Sequence, residues 1–406
     1  MCFRLLIIII ILFFTESCGG KDNLENGKEN NADNQSVITP GAYNIDEYIQ
    51  LLTGKNVSFT VNQTAEINGR PLVDTLLKRG VTVDKIFTPE HGFKGLADAG
   101  EAIHDQNDST TGIKLISLYG DKRKPDAQDL VKTDIMVFDI QDVGTRFYTY
   151  ISTLHLVMEA CAENQIPLLI LDRPNPNGHF VDGPVRLPEY RSFVAMDPIP
   201  IVYGLTIGEL ASMINGEGWL SGGLVCDLKV IACQGYDHKK MYTLPVKPSP
   251  NLPNLRSILL YPSLCFFEGT PLSIGRGTDL QFQVIGHPSL TDFPYAFTPT
   301  SGPGSTRPKL EDQACYGEVL TGLHDEEIFA WRRLNLTFLI RFYNAFPDKS
   351  AFFNENNWFD RLAGTVILRE MIVAGKSEDE IRSFWKPGVD SFLEKRKQYL
   401  LYPDFD

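Results

Sequence analysis

The sequence predicts an α/β fold, a mostly parallel sheet covered by helices on both faces, with a smaller α+β part toward the carboxyl end. Short apolar runs alternate with longer stretches of helical periodicity, the pattern of repeated strand–helix–strand units. The runs are apolar almost throughout rather than at every second position, as strands buried on both faces are. Val57–Val61 opens the sheet. In Pro71–Lys78, Leu72, Val73, Leu76 and Leu77 fall on one helical stripe. Asp84–Thr88 and Ile113–Leu118 are strands, and Asp134–Asp139 (DIMVFD) is another. Tyr148–Asn164 reads as a long helix, Pro167–Asp172 (PLLILD) as a strand, Thr206–Ile214 as a helix and Leu224–Ala232 as a strand. Pro245–Pro253 (PVKPSPNLP) then breaks the alternation. Gly269–Ile285 looks β and loop-like, while Phe359–Lys376 and Glu378–Leu400 look helical. These shifts place a boundary within 262–285, giving a first domain at 42–270 and a second at 271–406.

The chain has 406 residues, 43% of them apolar, enough to fill sizeable cores. With 38 Lys and Arg against 51 Asp and Glu, the net charge is −13. That balance argues against nucleic-acid partners, which need clustered cations. The first residues read as an address. Arg4 precedes the apolar run Leu5–Phe14, too short to span a bilayer as a helix but suited to an export signal. Ser17, Cys18 and Gly19 follow, and the arrangement resembles a bacterial lipoprotein signal. The resemblance implies cleavage before Cys18 and a lipid anchor on it, in a periplasmic or cell-surface setting, the outer membrane above all. Residues 19–41 are mostly Asn, Gly and charged, and read as a flexible tether. Cys161, Cys226, Cys233, Cys265 and Cys315 show no metal-ligand spacing and read as buried thiols.

In open α/β sheets, ligands bind beyond the carboxyl ends of the strands. Three unusual polar loops follow strands there: Thr88–Phe93 (TPEHGF), Asp139–Arg146 (DIQDVGTR) and Asp172–Gly178 (DRPNPNG). Glu90 and His91 offer an acid or base beside a proton-active ring. Neighbours on an extended segment point apart, so both reach one ligand only across a turn, which Pro89 and Gly92 supply. Asp139, Asp142 and Glu101 are further carboxylates able to share the site or to serve a turn. Arg146 and Arg276 suit either bidentate capture of an anion or a structural ion pair. Gln141, Arg173, Asn175 and Glu268 complete the candidate binding set. Thr206 with Glu209, and Ser377 with Glu380, read as helix capping boxes. His155 reads as a core residue. Gly275–Thr278 lacks the strand–GxGxxG–helix context, and no P-loop, HExxH or GxSxG occurs. Neither a nucleotide, a metal nor another cofactor is therefore expected.

The blocks FTPEHGF (87–93), FDIQDVGTR (138–146), LDRPNPNG (171–178), LTIGEL (205–210) and FEGTPLSIGRGT (267–278) occur in the order found in the NamZ-type exo-β-N-acetylmuramidases, a glycoside hydrolase family that this chain resembles from about residue 55 onward. The resemblance implies a Rossmann-like domain plus an auxiliary domain with a cleft between them. It also implies release of N-acetylmuramic acid from the non-reducing end of peptidoglycan fragments, with the family's Glu-His pair at Glu90 and His91. Glycoside cleavage needs a proton for the leaving oxygen and support for positive charge at the anomeric carbon. Glu90 is the expected acid; Asp139, Asp142 or the substrate's own acetamido group can supply the second function. Arg146 or Arg276 can recognise the lactyl carboxylate that distinguishes muramic acid from glucosamine. A lipoprotein that only binds cell-wall sugars in the same cleft is the alternative.

Overall fold

Strand β1 (Asn56–Val61) leads through a two-residue hairpin, β2 (Glu66–Ile67) and β3 (Arg70–Pro71), into helix α2 (Leu72–Lys78) and strand β4 (Thr82–Thr88). Helix α1 (Ile45–Leu52), not among the expected elements, precedes them. The sheet continues with β5 (Gln106–Asn107), β6 (Lys114–Ser117), β7 (Ile135–Asp139), β8 (Leu168–Leu171) and β9 (Leu228–Ile231), with α3 (Tyr150–Glu163) and α4 (Ile207–Gly216) between them. Its order is β5-β6-β4-β1-β7-β8-β9. All neighbours are parallel except the short edge strand β5. Taken in chain order, the six parallel strands lie third, second, first, fourth, fifth, sixth, the Rossmann arrangement with its switch point between β1 and β7.

This computed structural model describes residues 37–405 except 99, 102 and 103. The expected signal, Cys18 and the tether as far as residue 36 lie outside the described residues. Thr39 and Gly41, expected within the tether, belong to the fold. Thr39 bridges Gln234, and the Gly41 N–H donates to the Asp172 carbonyl at 2.8 Å. Gly41 is packed so closely that a Cβ there would come within 2.1 Å of the Ile231 carbonyl oxygen.

The apolar strands feed two cores. Met136 and Phe138 of β7 join one, Ile135 and Val137 the other; Leu168 and Ile170 of β8 divide from Leu169 and Leu171 in the same way. Alternation is thus present, but each face meets apolar partners, so no polar residue marks it. The larger core runs from Phe87 to Phe392 and joins the sheet to the carboxyl-terminal half.

Helix α5 (Leu255–Leu264) crosses the region where the sequence places a boundary. An Asn254–Ser257 capping box starts it, and Pro262 lies within it. Proline removes the hydrogen bond to the carbonyl four residues back. That carbonyl, of Ile258, instead accepts the Asn177 side-chain amide at 3.1 Å. The carboxyl-terminal half follows as β10 (Val284–His287), β11 (Tyr295–Phe297), β12 (Cys315–Val319), α6 (Asp325–Ala330) and α7 (Thr337–Ala345). The first three form an antiparallel sheet. The expected helix at 359–376 is two helices, α8 (Trp358–Ala363) and α9 (Ile367–Val373), broken at Gly364 with φ 70°. Helix α10 (Glu378–Arg396) closes the fold from its Ser377–Glu380 capping box. The Thr206–Glu209 box heads α4 as expected, His155 is buried against Asp197, and the five described cysteines are buried and free.

Candidate active site

A cavity of about 1140 Å³ opens beside the carboxyl end of β4, between the sheet and the carboxyl-terminal half. The sheet side supplies Glu90, His91, Tyr119, Tyr148 and Thr149; the other side supplies Glu268, Arg276, Arg307, Lys309, Trp358 and Arg361. The volume lies just above the range of ordinary small-molecule sites, roughly 300–1,000 Å³.

The loop after β4 turns as its residues suggest. Gly92 N–H donates to the Pro89 carbonyl at 3.0 Å, and His91 and Gly92 both take positive φ, 68° and 73°. A non-glycine residue in the left-handed region is uncommon and marks a locally imposed conformation. The turn brings the side chains of Glu90 and His91 onto one cavity wall. Thr149 Oγ1 donates to Glu90 Oε2 at 2.8 Å, and Gly100 N–H donates to Oε1 at 3.1 Å. Tyr119 stands on the same wall; burial first, then the charge of Glu90, push its phenol pKa well up. Tyr119 therefore stays protonated and serves as a donor. His91 Nδ1 lies 2.6 Å from the Ala97 carbonyl oxygen. A carbonyl only accepts, so Nδ1 carries the proton. Nε2 lies 3.4 Å from Ser249 Oγ.

Across the cavity, Arg276 Nε donates to Glu268 Oε1 at 2.6 Å. Burial opposes ionisation of Glu268, but the charges of Arg276 and Lys309 and the Arg276 hydrogen bond outweigh it, holding its pKa below the usual value. Glu268 is thus a fixed negative charge in a partly buried wall. Lys309 Nζ donates to the carbonyls of Phe267, at 3.2 Å, and Thr270, at 2.6 Å. The loop carrying Glu101 is tied over the cavity from both ends. Glu101 Oε2 accepts the Asp98 N–H at 2.8 Å, and Asp98 Oδ2 accepts the Thr306 N–H at 2.6 Å.

Of the expected residues, Glu90, His91, Glu101, Glu268 and Arg276 meet in this cavity. Asp139, Gln141, Asp142, Arg146, Arg173 and Asn175 do not line it, and each has a structural occupation. Asp139 is fully buried and bidentately paired with Arg173 across the ends of β7 and β8. Asp142 accepts the Gly144 N–H at 2.6 Å and the Tyr203 hydroxyl, and burial pushes its pKa up to about 7. Gln141 Nε2 donates to the carbonyls of Asp142 and Pro174, each at 2.8 Å. Asn175 Nδ2 donates to the Leu205 carbonyl at 2.8 Å. Arg146 is fully buried and has no carboxylate partner among its hydrogen bonds. Its guanidinium donates to the carbonyls of Pro184, Ile199, Leu362 and Ala363, at 2.7–3.0 Å.

Sequence reasoning missed Tyr119, Arg123, Thr149, Arg307, Trp358 and Arg361, all on the cavity wall. A signal existed for some of them: GPGSTRPK (302–309) is a Gly/Pro loop carrying two cations close after the FEGTPLSIGRGT block. Tyr119, Arg123 and Phe193 carried no motif and come together only through the fold.

Two family models match the chain: exo-beta-N-acetylmuramidase NamZ, N-terminal, at residues 57–256, and exo-beta-N-acetylmuramidase NamZ, C-terminal, at residues 259–402. The peptidoglycan beta-N-acetylmuramidase NamZ of Bacillus subtilis (strain 168) is 36% identical over 377 residues, 88% of this chain and 89% of the relative. A DUF1343-family crystal structure from Bacteroides fragilis is 47% identical with a TM-score of 0.85, covering 91% of this chain and all of its own. A second from the same organism is 29% identical with a TM-score of 0.74, covering 90% of this chain and 99% of its own.

Proposed function

The chain belongs to the NamZ family of exo-β-N-acetylmuramidases, and from that membership we infer that it is a glycoside hydrolase releasing N-acetylmuramic acid from the non-reducing end of peptidoglycan fragments. One observation in the fold carries the assignment to this cavity: Glu90 and Glu268, both acidic members of the family's sequence blocks, line the same large polar cavity from opposite halves of the chain.

We propose Glu90 as the acid that protonates the departing glycosidic oxygen. Thr149 is suited to support it, because a hydroxyl can rotate from donating to the carboxylate to accepting from the carboxylic acid. His91 acts as a positioning residue: its bond to the Ala97 carbonyl holds the left-handed turn that aims Glu90 inward. Glu268, kept ionised by Arg276 and Lys309, is placed to steady the positive charge that develops at the anomeric carbon.

The test is hydrolysis of a chromogenic β-muramoyl glycoside by the purified protein. Glu90→Gln should lower kcat by about 10²–10⁴-fold, the usual worth of general acid catalysis, with the thermal midpoint unchanged. Glu268→Gln should lower kcat more than it raises KM. Near-normal turnover in Glu90→Gln removes the acid assignment. Failure of the wild-type protein to cleave while still binding muramoyl sugars would establish the sugar-binding alternative instead.

We also propose that residues 1–18 are a lipoprotein signal, that Cys18 is acylated, and that the enzyme is exported and works at a membrane, the outer membrane above all. Support comes from the apolar run Leu5–Phe14, the Ser17-Cys18-Gly19 sequence and the polar stretch after them.

A further inference from the structure

Muramic acid differs from glucosamine by a lactyl ether that carries a carboxylate, and a site that reads that charge needs a cation left unsatisfied when the group is missing. This argument rests on the muramidase reading above. Five cations line the cavity among the described residues: Arg123, Arg276, Arg307, Lys309 and Arg361. Arg276 is committed to Glu268, and Lys309 to two backbone carbonyls. Of the other three, Arg123 is joined to the neighbours of Glu90. Its Cζ lies 4.4 Å from the centre of the Phe193 ring. Phe193 packs beside Tyr119 with ring centres 6.2 Å apart, and Tyr119 shares the cavity wall with Glu90. Phe193 is itself anchored: its carbonyl accepts the Ser152 hydroxyl at 2.7 Å. Arg361 belongs to α8 on the opposite half, and Arg307 follows Thr306 in the loop that Asp98 grips.

We propose that Arg123 binds the lactyl carboxylate of the muramoyl residue whose bond Glu90 cleaves, and so determines specificity for muramic acid. The guanidinium has the planar fork that carboxylates accept bidentately. Stacking on Phe193 removes part of the side chain's freedom before the substrate arrives, which lowers the cost of binding. The arginine lines the cavity and is exposed, so an incoming anion can reach it.

Two probes isolate the charge: a chromogenic β-muramoyl glycoside, and the same compound with its lactyl carboxylate converted to a carboxamide of equal size. Wild-type cleavage of the first tests the muramidase reading by itself; if it fails, this proposal falls with it. Given cleavage, the wild type should prefer the carboxylate by roughly 10- to 100-fold in kcat/KM, the worth of one charge-assisted contact. Arg123→Gln should abolish that preference by weakening the carboxylate substrate alone, and Arg123→Lys should restore part of it. The thermal midpoint of both variants should match the wild type. The proposal is overturned if Arg123→Gln keeps the preference, if it weakens both compounds equally, or if the wild type shows no preference. It is also overturned if Arg307→Gln or Arg361→Gln removes the preference instead.

Discussion

Arg146 should matter for folding and not for the chemistry of the substrate. Consider Arg146→Met, which keeps an apolar stem and removes the guanidinium. Four carbonyls then lose their donor: Pro184 and Ile199 on the sheet side, Leu362 and Ala363 at the end of α8. A buried acceptor left without a partner costs about 1–3 kcal/mol. Counting each at the lower bound, because a water can enter the vacated space and serve some of them, the loss is ~4 kcal/mol. That is a large part of a typical folding stability of about 5–15 kcal/mol. Gly364 sharpens the expectation: a Cβ there would approach Arg146 Nη2 to 2.6 Å, so the backbone at the end of α8 is shaped around the guanidinium. The assay is urea unfolding followed by circular dichroism, with kinetics on the β-muramoyl glycoside and its lactyl carboxamide. Because α8 carries Trp358 and Arg361 to the cavity, the variant should also raise KM, by the same factor on both compounds. A stability loss below about 1 kcal/mol would refute the packing argument. A loss confined to the carboxylate compound would return Arg146 to the substrate.

Two further outcomes are expected. Burial raises the Asp142 pKa to about 7, so the folded state retains a proton that the unfolded chain has released. The resulting stabilisation is complete below the unfolded value of 3.8 and is lost as pH rises through about 7; at 1.36 kcal/mol per pKa unit it reaches at most ~4 kcal/mol. In Asp142→Asn this contribution should vanish, so the stability difference between wild type and variant should slope over pH 4–7; a flat difference would show that Asp142 is ionised throughout. For the proposed anchor, Cys18→Ser should move the protein from the detergent phase to the aqueous phase in a cloud-point partition of bacterial lysate, and an unchanged partition would exclude acylation at that residue.

The central strands β7 and β8 were legible because they are apolar nearly throughout, and β8 is Leu168–Leu171 within the expected 167–172, whereas short polar strands such as β5 (Gln106–Asn107) carried no such signal. Helix α5 was not legible, since Pro-rich text precedes it and Pro262 lies inside it; the Asn177 amide that repairs the proline's missing bond is 81 positions from Ile258. The same limit governs the site. Glu90 and His91 were legible as a polar pair at a turn after a strand. Asp139 and Arg173 present the same local features, an acidic and a basic residue after buried strands. Only their placement on adjacent strands shows that they satisfy one another. Residue type gives the chemistry available to a side chain, while its partner, brought from elsewhere in the chain, decides whether that chemistry is left free.

The location of the cavity follows from this. The switch point between β1 and β7 is where a Rossmann sheet ordinarily opens a crevice. In this chain the loops at that point hold one another. Thr64, after β1, donates to Asn62 and accepts the Gln141 N–H beyond β7 at 3.0 Å, while Gln141 reaches the Pro174 carbonyl beyond β8. The open volume is displaced to the β4 side, where the carboxyl-terminal half forms the facing wall. A site built this way takes Glu90 from the sheet and the ion-paired Glu268 from the other half. Its competence therefore depends on contacts that hold the halves together, and Arg146, with two carbonyls from each, is central among them. An arginine outside the cavity and a carboxylate in its wall can thus be equally necessary, one by fixing the distance across the cavity and the other, in the proposed mechanism, by delivering the proton.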